Sequence, residues 1–147
     1  MTLSLEQKAH LICDIRRAIE EKRMLSFIDI ETIFKENNFA YEGSCMVNYP
    51  GFDSTIVWDG WCEEAANLLI EMENAGITAV IPAASGRLQY MTRGKELPLP
   101  VVSKPGDYTE EKWLPSYLTI PEAVEYYRKH SAYPNANWFA AQKSWFE

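Results

Sequence analysis

The clearest hydrophobic pattern in the chain runs from Trp58 to Pro82 and predicts an amphipathic helix that leads directly into a strand. Asp59 is the predicted N-cap, and Gly76 ends the helix. The apolar positions at helical spacing are Trp61, Ala65, Leu68, Leu69 and Met72, with Glu64, Glu71 and Asn74 on the opposite side. The β-branched run Ile77–Ile81 predicts a strand, and the alternation in Arg87–Thr92 makes that segment its predicted hairpin partner.

Two helices and two short strands are predicted before this stretch. Ser4 and Gln7 fit a capping box, and apolar residues at helical spacing extend this first helix to about Arg23. A second helix is predicted from Ser26 to the two asparagines at 37–38. Residues 39–50 predict an irregular insertion with one strand near 45–48, and a turn at 50–51 precedes a short strand at 54–58.

The remainder of the chain is rich in proline and aromatic residues. Residues 97–102 can form only an edge strand, because each proline lacks a donor for the ladder. Residues 103–118 predict a loop draped over the body and anchored by Trp113 and Leu114, and Thr119 with Glu122 fits a capping box that opens a C-terminal helix. We therefore expect one domain over 1–147, with a body at 1–102, the draped loop at 103–118 and a helical segment at 119–147.

Composition limits the class of protein. The chain has 147 residues, 47% of them apolar, and no apolar run approaches the ~18–20 residues of a membrane span. Without a leader-like N-terminus we expect a cytoplasmic protein with no membrane contact. Cys13, Cys45 and Cys62 are widely spaced and fit reduced thiols rather than a zinc site. A catalytic pair of one of them with His10 or His130 would require a tertiary coincidence.

Common catalytic and cofactor motifs are missing from the sequence. There is no phosphate-binding loop, dinucleotide fingerprint, zinc-protease motif or nucleophile elbow, so we expect no cofactor, no metal and no enzymatic activity. Tyr49, Trp58 and Trp61 could form an aromatic platform for a ligand, but tryptophans beside a helix start more often belong to a core.

Acidic charge is concentrated in one segment. The net charge is −7, and residues 39–86 contain seven acidic residues and no lysine or arginine. Because phosphate contacts depend on lysine and arginine, this segment is a poor nucleic-acid surface. The side chains predicted to bind a partner are Asp59, Glu63, Glu64, Asn67, Glu71 and Glu73, although a solvated helix face is the structural alternative.

Two further surfaces are candidates for binding. A phosphate-binding patch could be formed by the basic residues Arg16, Arg17, Arg87, Arg93 and Lys95, although those at the end of the first helix can instead pair with Glu20 and Glu21. The apolar C-terminal segment must dock on the body or on another chain. Its candidate homodimer residues are Trp138, Phe139, Trp145 and Phe146.

The order helix, short helix, strand, helix, hairpin resembles that of winged-helix proteins, as does the sharp junction at 75–77. The chain also looks like small uncharacterised proteins of bacterial phages and mobile elements, in the run VWDGWCEEAANLLIEMENAG, in LPLP at 97–100 and in KWLP at 112–115. This resemblance covers roughly residues 25–116. It implies an α+β, winged-helix-like fold of three helices and a β-hairpin wing at 77–92, with additional C-terminal helices.

The resemblance departs from the DNA-binding members at the third helix. That helix contacts base edges with basic or amide side chains, whereas residues 61–76 offer four glutamates and only Asn67 and Asn74 as base readers. Our leading hypothesis is therefore a non-enzymatic module that binds a basic protein surface, for example a phage-type inhibitor of a host nucleic-acid-handling or defence system such as an anti-CRISPR protein. The alternatives are a winged-helix transcriptional regulator that binds DNA and an enzyme with an unrecognised site.

Overall fold

The computed structural model describes residues 3–83 and 86–124, which form a mixed α+β fold. Helix α1 spans Leu5–Lys22 and helix α2 spans Phe27–Glu36. The predicted capping box is present, because Ser4 Oγ accepts from the Gln7 N–H while the Gln7 side chain accepts from the Ser4 N–H. Ser26 caps α2 by accepting from the Asp29 N–H. Both predicted helices are confirmed.

The segment predicted as an irregular insertion is a long β-hairpin. Strand β1 spans Glu42–Tyr49, strand β2 spans Phe52–Trp61, and they pair antiparallel across the predicted turn at 50–51. The prediction that Asp59 caps a helix and that Trp61 lies on the helical stripe is therefore wrong. Trp58 and Trp61 are completely buried in β2, and burial of their rings keeps the backbone extended for three residues beyond the predicted strand.

Helix α3 spans Glu63–Asn74 and begins after Cys62, whose side chain makes no capping hydrogen bond. Strand β3 follows at Ala79–Pro82, after Gly76 with a φ of 72°. The predicted wing is wrong: residues Gly86–Thr92 form helix α4, and β3 pairs instead with a strand 34 or more residues further on. The cause is Tyr90, a buried side chain whose hydroxyl accepts from the Phe27 N–H and donates to the Ser116 carbonyl.

Two short strands lie in the predicted draped loop. Strand β4, at Lys112–Trp113, runs parallel to β2, and strand β5, at Ser116–Thr119, pairs antiparallel with β3. The described strands thus form one sheet in the order β1-β2-β4 and a second of β3 and β5. Trp113 and Leu114 are buried anchors, as predicted. Residues 121–124 are helical, where the C-terminal helix was predicted to open. The candidate dimer residues at 138–146 lie outside the described residues.

Aromatic rings join the helices to the hairpin. Phe27 of α2 stacks on Trp58 with ring centroids 5.3 Å apart, and Phe34 meets the edge of Trp61 at 5.2 Å. The assignment of both tryptophans to the core is confirmed. Among the described helices, none combines the length and the apolar character that crossing a bilayer requires.

Candidate functional site

The side of α3 that faces away from the core carries an exposed apolar residue among acidic and amide side chains. Ala65, Leu68, Leu69 and Met72 are buried as predicted, and they hold the helix against the body. The α3 face, as we call the exposed side, consists of Glu63, Asn67, Ile70, Glu71 and Asn74. Ile70 is at its centre with 46% of its surface exposed. The spacing of these residues places all five on one side of the helix.

The six residues predicted to bind a partner do not form one surface. Asp59 lies on β2 and accepts a hydrogen bond of 2.7 Å from Lys95 Nζ. The prediction that Glu64 faces water is wrong, because its side chain is half-buried and accepts from the Leu3 N–H at 2.5 Å. Glu63, Asn67 and Glu71 are exposed on the α3 face, where Glu71 pairs with Lys8 at 3.3 Å. Glu73 is in a different environment from the other five.

Glu73 is a carboxyl group that is partly withdrawn from water. One of its oxygens accepts from the Val80 N–H, while Oε1 is buried and has no hydrogen-bond partner among the described residues. Burial raises the pKa of Glu73 from 4.5 to about 7, against the opposing effect of the Val80 hydrogen bond. Tyr49 interacts electrostatically with Glu73, and burial first and this carboxylate second raise the pKa of Tyr49 to about 12.

Glu73 lines a cavity of about 210 Å³ at the C-terminal end of α3. The other lining residues come from the hairpin, α3 and β3, and are Val47, Asn48, Pro50, Gly51, Leu69, Ile70, Asn74 and Val80. The wall therefore combines apolar side chains with the polar groups of Asn48 and Asn74, and Glu73 is its one ionisable residue. Ile70 and Asn74 belong both to this wall and to the α3 face, so the cavity opens beside that face. A partly buried ionisable group with a perturbed pKa in a cavity is a common mark of a functional site.

The basic residues of the alternative nucleic-acid patch are all ion-paired. On α1, Arg16 pairs with Glu20 and Arg17 with Asp14. Arg87 pairs with Glu96, nine residues along the chain, while Arg93 and Lys95 pair with the distant residues Asp29 and Asp59. The predicted pairing of Arg16 with Glu20 is confirmed. Each pair reduces the positive potential that a phosphate backbone would meet.

A larger pocket of about 370 Å³ lies near the start of α3. His10, Cys62 and Glu64 all line it, so the fold brings a histidine and a cysteine 52 residues apart to one place. The Cys62 thiol contacts the Ala40 carbonyl at 3.6 Å, and no thiol–imidazole hydrogen bond is among the contacts of the described residues. Those residues also contain no group of three metal-ligating side chains.

No protein-family profile, curated protein or solved structure matches the chain. The site therefore has to be interpreted from its own chemistry. Sequence reasoning included Glu73 only as one more acidic residue of a helix and did not include Ile70. The charge of Glu73 is visible in the sequence, but its burial depends on β1 and β3, which lie on either side of α3 in the chain.

Proposed function

We propose that this protein is a non-enzymatic binding module whose α3 face contacts a basic surface of another protein. The observation that carries the proposal is the exposure of Ile70 among Glu63, Asn67 and Glu71 on a helix whose opposite side is buried in the core. Protein-binding surfaces combine an apolar centre with a polar rim, and Ile70 with its acidic and amide neighbours has this arrangement on a small scale. The absence of lysine and arginine from residues 39–86 favours a partner of opposite charge.

One concrete form of this function follows from the resemblance to proteins of phages and mobile elements. The partner would be a bacterial protein that handles nucleic acid, and the carboxylates would occupy positions on its basic groove that phosphates normally occupy. The module would then inhibit that system, as an anti-CRISPR or other anti-defence protein does.

Photo-crosslinking from the α3 face tests the proposal. A photoreactive amino acid at Asn67 should crosslink a basic protein in a bacterial lysate, and the yield should fall as salt is raised because the contact is electrostatic. The yield should also fall with Ile70→Ser and with the double change Glu63→Gln and Glu71→Gln. The matched control is Glu110→Gln with Glu111→Gln, which removes the same charge from an exposed loop. Equal yields from both double variants would contradict the proposal.

The alternative of a DNA-binding regulator has less support. Its predicted wing is helix α4, and Arg87, Arg93 and Lys95 are each paired with a carboxylate. A gel shift at low salt that is lost on changing these three residues to alanine, and retained after Glu63→Gln with Glu71→Gln, would favour this alternative over ours.

A thiol-dependent activity is a second candidate, favoured by the presence of His10 and Cys62 in one pocket. If His10 activates the thiol, iodoacetamide should modify Cys62 faster than the exposed Cys13, and His10→Gln should remove the difference. Slower modification of Cys62 than of Cys13 would count against this activity.

A further inference from the structure

We propose that the cavity beside the α3 face is a socket for one alkyl-guanidinium side chain, an arginine of the partner, with Glu73 as its counter-ion. This inference rests on the proposed function and names the residue type that the same surface recognises. It is carried by the shape and chemistry of the cavity wall.

The wall contains two kinds of residue that match the two parts of an arginine side chain. Val47, Leu69 and Val80 offer an apolar surface for the methylene groups. Glu73 is the one ionisable residue of the wall. Its Oε1 is closed to water and has no hydrogen-bond partner among the described residues, so no donor compensates the charge at that oxygen. A guanidinium group supplies several N–H donors and a positive charge, and it is more weakly hydrated than an ammonium group.

The cavity also has a suitable size and position. Its volume of about 210 Å³ is far above the ~10–15 Å³ that a cavity needs, by the same measure, to hold one water molecule, which leaves room for a guanidinium group and part of its stem. Ile70 and Asn74 form the rim shared with the α3 face, so a partner lying on that face can insert a side chain. No lysine or arginine of the lining set competes for the carboxylate.

Binding should depend on pH, because only ionised Glu73 attracts the cation. With a pKa of about 7, the carboxylate is about one-tenth ionised at pH 6 and about nine-tenths ionised at pH 8, so the apparent affinity should rise about tenfold between them. Tyr49 of β1 is the other titratable group acting on Glu73, and its pKa of about 12 keeps it neutral across this range. The remaining lining side chains do not ionise.

NMR titration of the full chain with n-butylguanidinium tests the socket without a partner. We expect saturable shifts of the Ile70, Asn74 and Val80 amides, about tenfold tighter at pH 8 than at pH 6. Glu73→Gln should abolish the shifts, and n-butylurea, a neutral molecule of similar shape, should not produce them. Equal binding of the two probes, undiminished binding by Glu73→Gln, or no saturable shift at pH 8 would overturn the inference.

The crosslinking assay separates this inference from the proposed function. If partner capture falls with Glu63→Gln and Glu71→Gln but not with Glu73→Gln, the α3 face binds its partner and the socket is refuted. If butylguanidinium binds at Glu73 while capture does not depend on the α3 face, the socket stands and the proposed function fails. An unchanged amide spectrum away from the cavity will show that Glu73→Gln is folded.

Discussion

At the scale of single residues, one carboxylate connects α2 to the end of the hairpin. Glu31 Oε2 accepts from the indole Nε1 of Trp58 at 3.0 Å and from that of Trp61 at 2.9 Å. Both indoles are completely buried, so each N–H needs an acceptor inside the protein. Glu31 provides that acceptor for two rings at once, and it thereby fixes β2 in the register that places Cys62 at the start of α3.

Removing this acceptor should destabilise the fold. Glu31→Ala leaves two buried indole donors without a partner, and we expect a loss of about 2–4 kcal/mol in the free energy of unfolding. Glu31→Gln keeps one carbonyl oxygen and should cost about 1 kcal/mol. Urea denaturation followed by tryptophan fluorescence measures both. Glu36→Ala, which removes an exposed carboxylate from the same helix, is the control, and a loss as large as that of Glu31→Ala would contradict the argument.

At the scale of elements, the sequence predicted the helices whose ends depend on neighbouring residues. It missed the strand and helix bounds that depend on residues far away in the chain. The caps at Ser4 and Ser26 connect residues three apart, so their patterns located α1 and α2 correctly. By contrast, β2 continues to Trp61 because the tryptophans reach Glu31, 27 and 30 residues away. Residues 87–92 alternate like a strand, but Tyr90 has buried partners 63 and 26 residues away.

The candidate site shows the same division. The buried stripe of α3 was predictable from helical spacing, and so was the exposure of Glu71 and Asn74. The cavity around Glu73 was not, because Val47 and Val80 come from strands whose positions depend on long-range pairing. Charge alone grouped Glu73 with Glu63, whereas the fold gives these two residues different surroundings.

The junction between the hairpin and α3 leaves no room for a side chain at Gly43. A Cβ there would lie 2.6 Å from Cys62 Cα and 2.8 Å from the Trp61 carbonyl oxygen, and these backbone atoms cannot move without shifting β2. Gly43→Ala should therefore cost about 1–3 kcal/mol of stability through overpacking. Thermal denaturation compares it with Ser44→Ala, an exposed neighbour on β1 that should change stability by less than about 0.5 kcal/mol. Equal stability of the two variants would show that β1 can move away from the junction.

At the scale of the whole molecule, ion pairs connect the acidic segment to the rest of the chain. Residues 39–86 contain seven carboxylates and no lysine or arginine, so their cations must come from elsewhere. Lys8 of α1 pairs with Glu71, and Lys95, after α4, pairs with Asp59 while lying 4.9 Å from the centre of the Trp58 ring. Glu73 has no such cation among the described residues and is also partly buried, so its ionisation lowers the stability of the fold.

Stability should consequently fall as pH rises from about 4.5 to 7. The pKa of Glu73 is higher in the folded protein than the 4.5 of an unperturbed glutamate, so the folded state retains a proton that the unfolded state loses. The stabilisation is complete below pH 4.5 and is lost as pH passes about 7. The pKa difference corresponds to at most about 3 kcal/mol, which solvent screening at the exposed part of the side chain reduces to about 1–2 kcal/mol.

Urea denaturation at pH 5, 6, 7 and 8 measures this loss, and Glu73→Gln is the control because it cannot ionise. From pH 5 to pH 8, the natural sequence should lose about 1–2 kcal/mol in its free energy of unfolding relative to Glu73→Gln. Asp29 does not interfere with this measurement. Burial tends to raise the pKa of Asp29, but its hydrogen bonds with Arg93 and Ser26 hold that pKa below 3.8, so Asp29 titrates below the pH range of the experiment. A pH-independent difference would mean that solvent already reaches the carboxylate.

A saturating concentration of butylguanidinium should instead stabilise the natural sequence most at pH 8, because a ligand that binds only the ionised folded state offsets the cost of ionising Glu73.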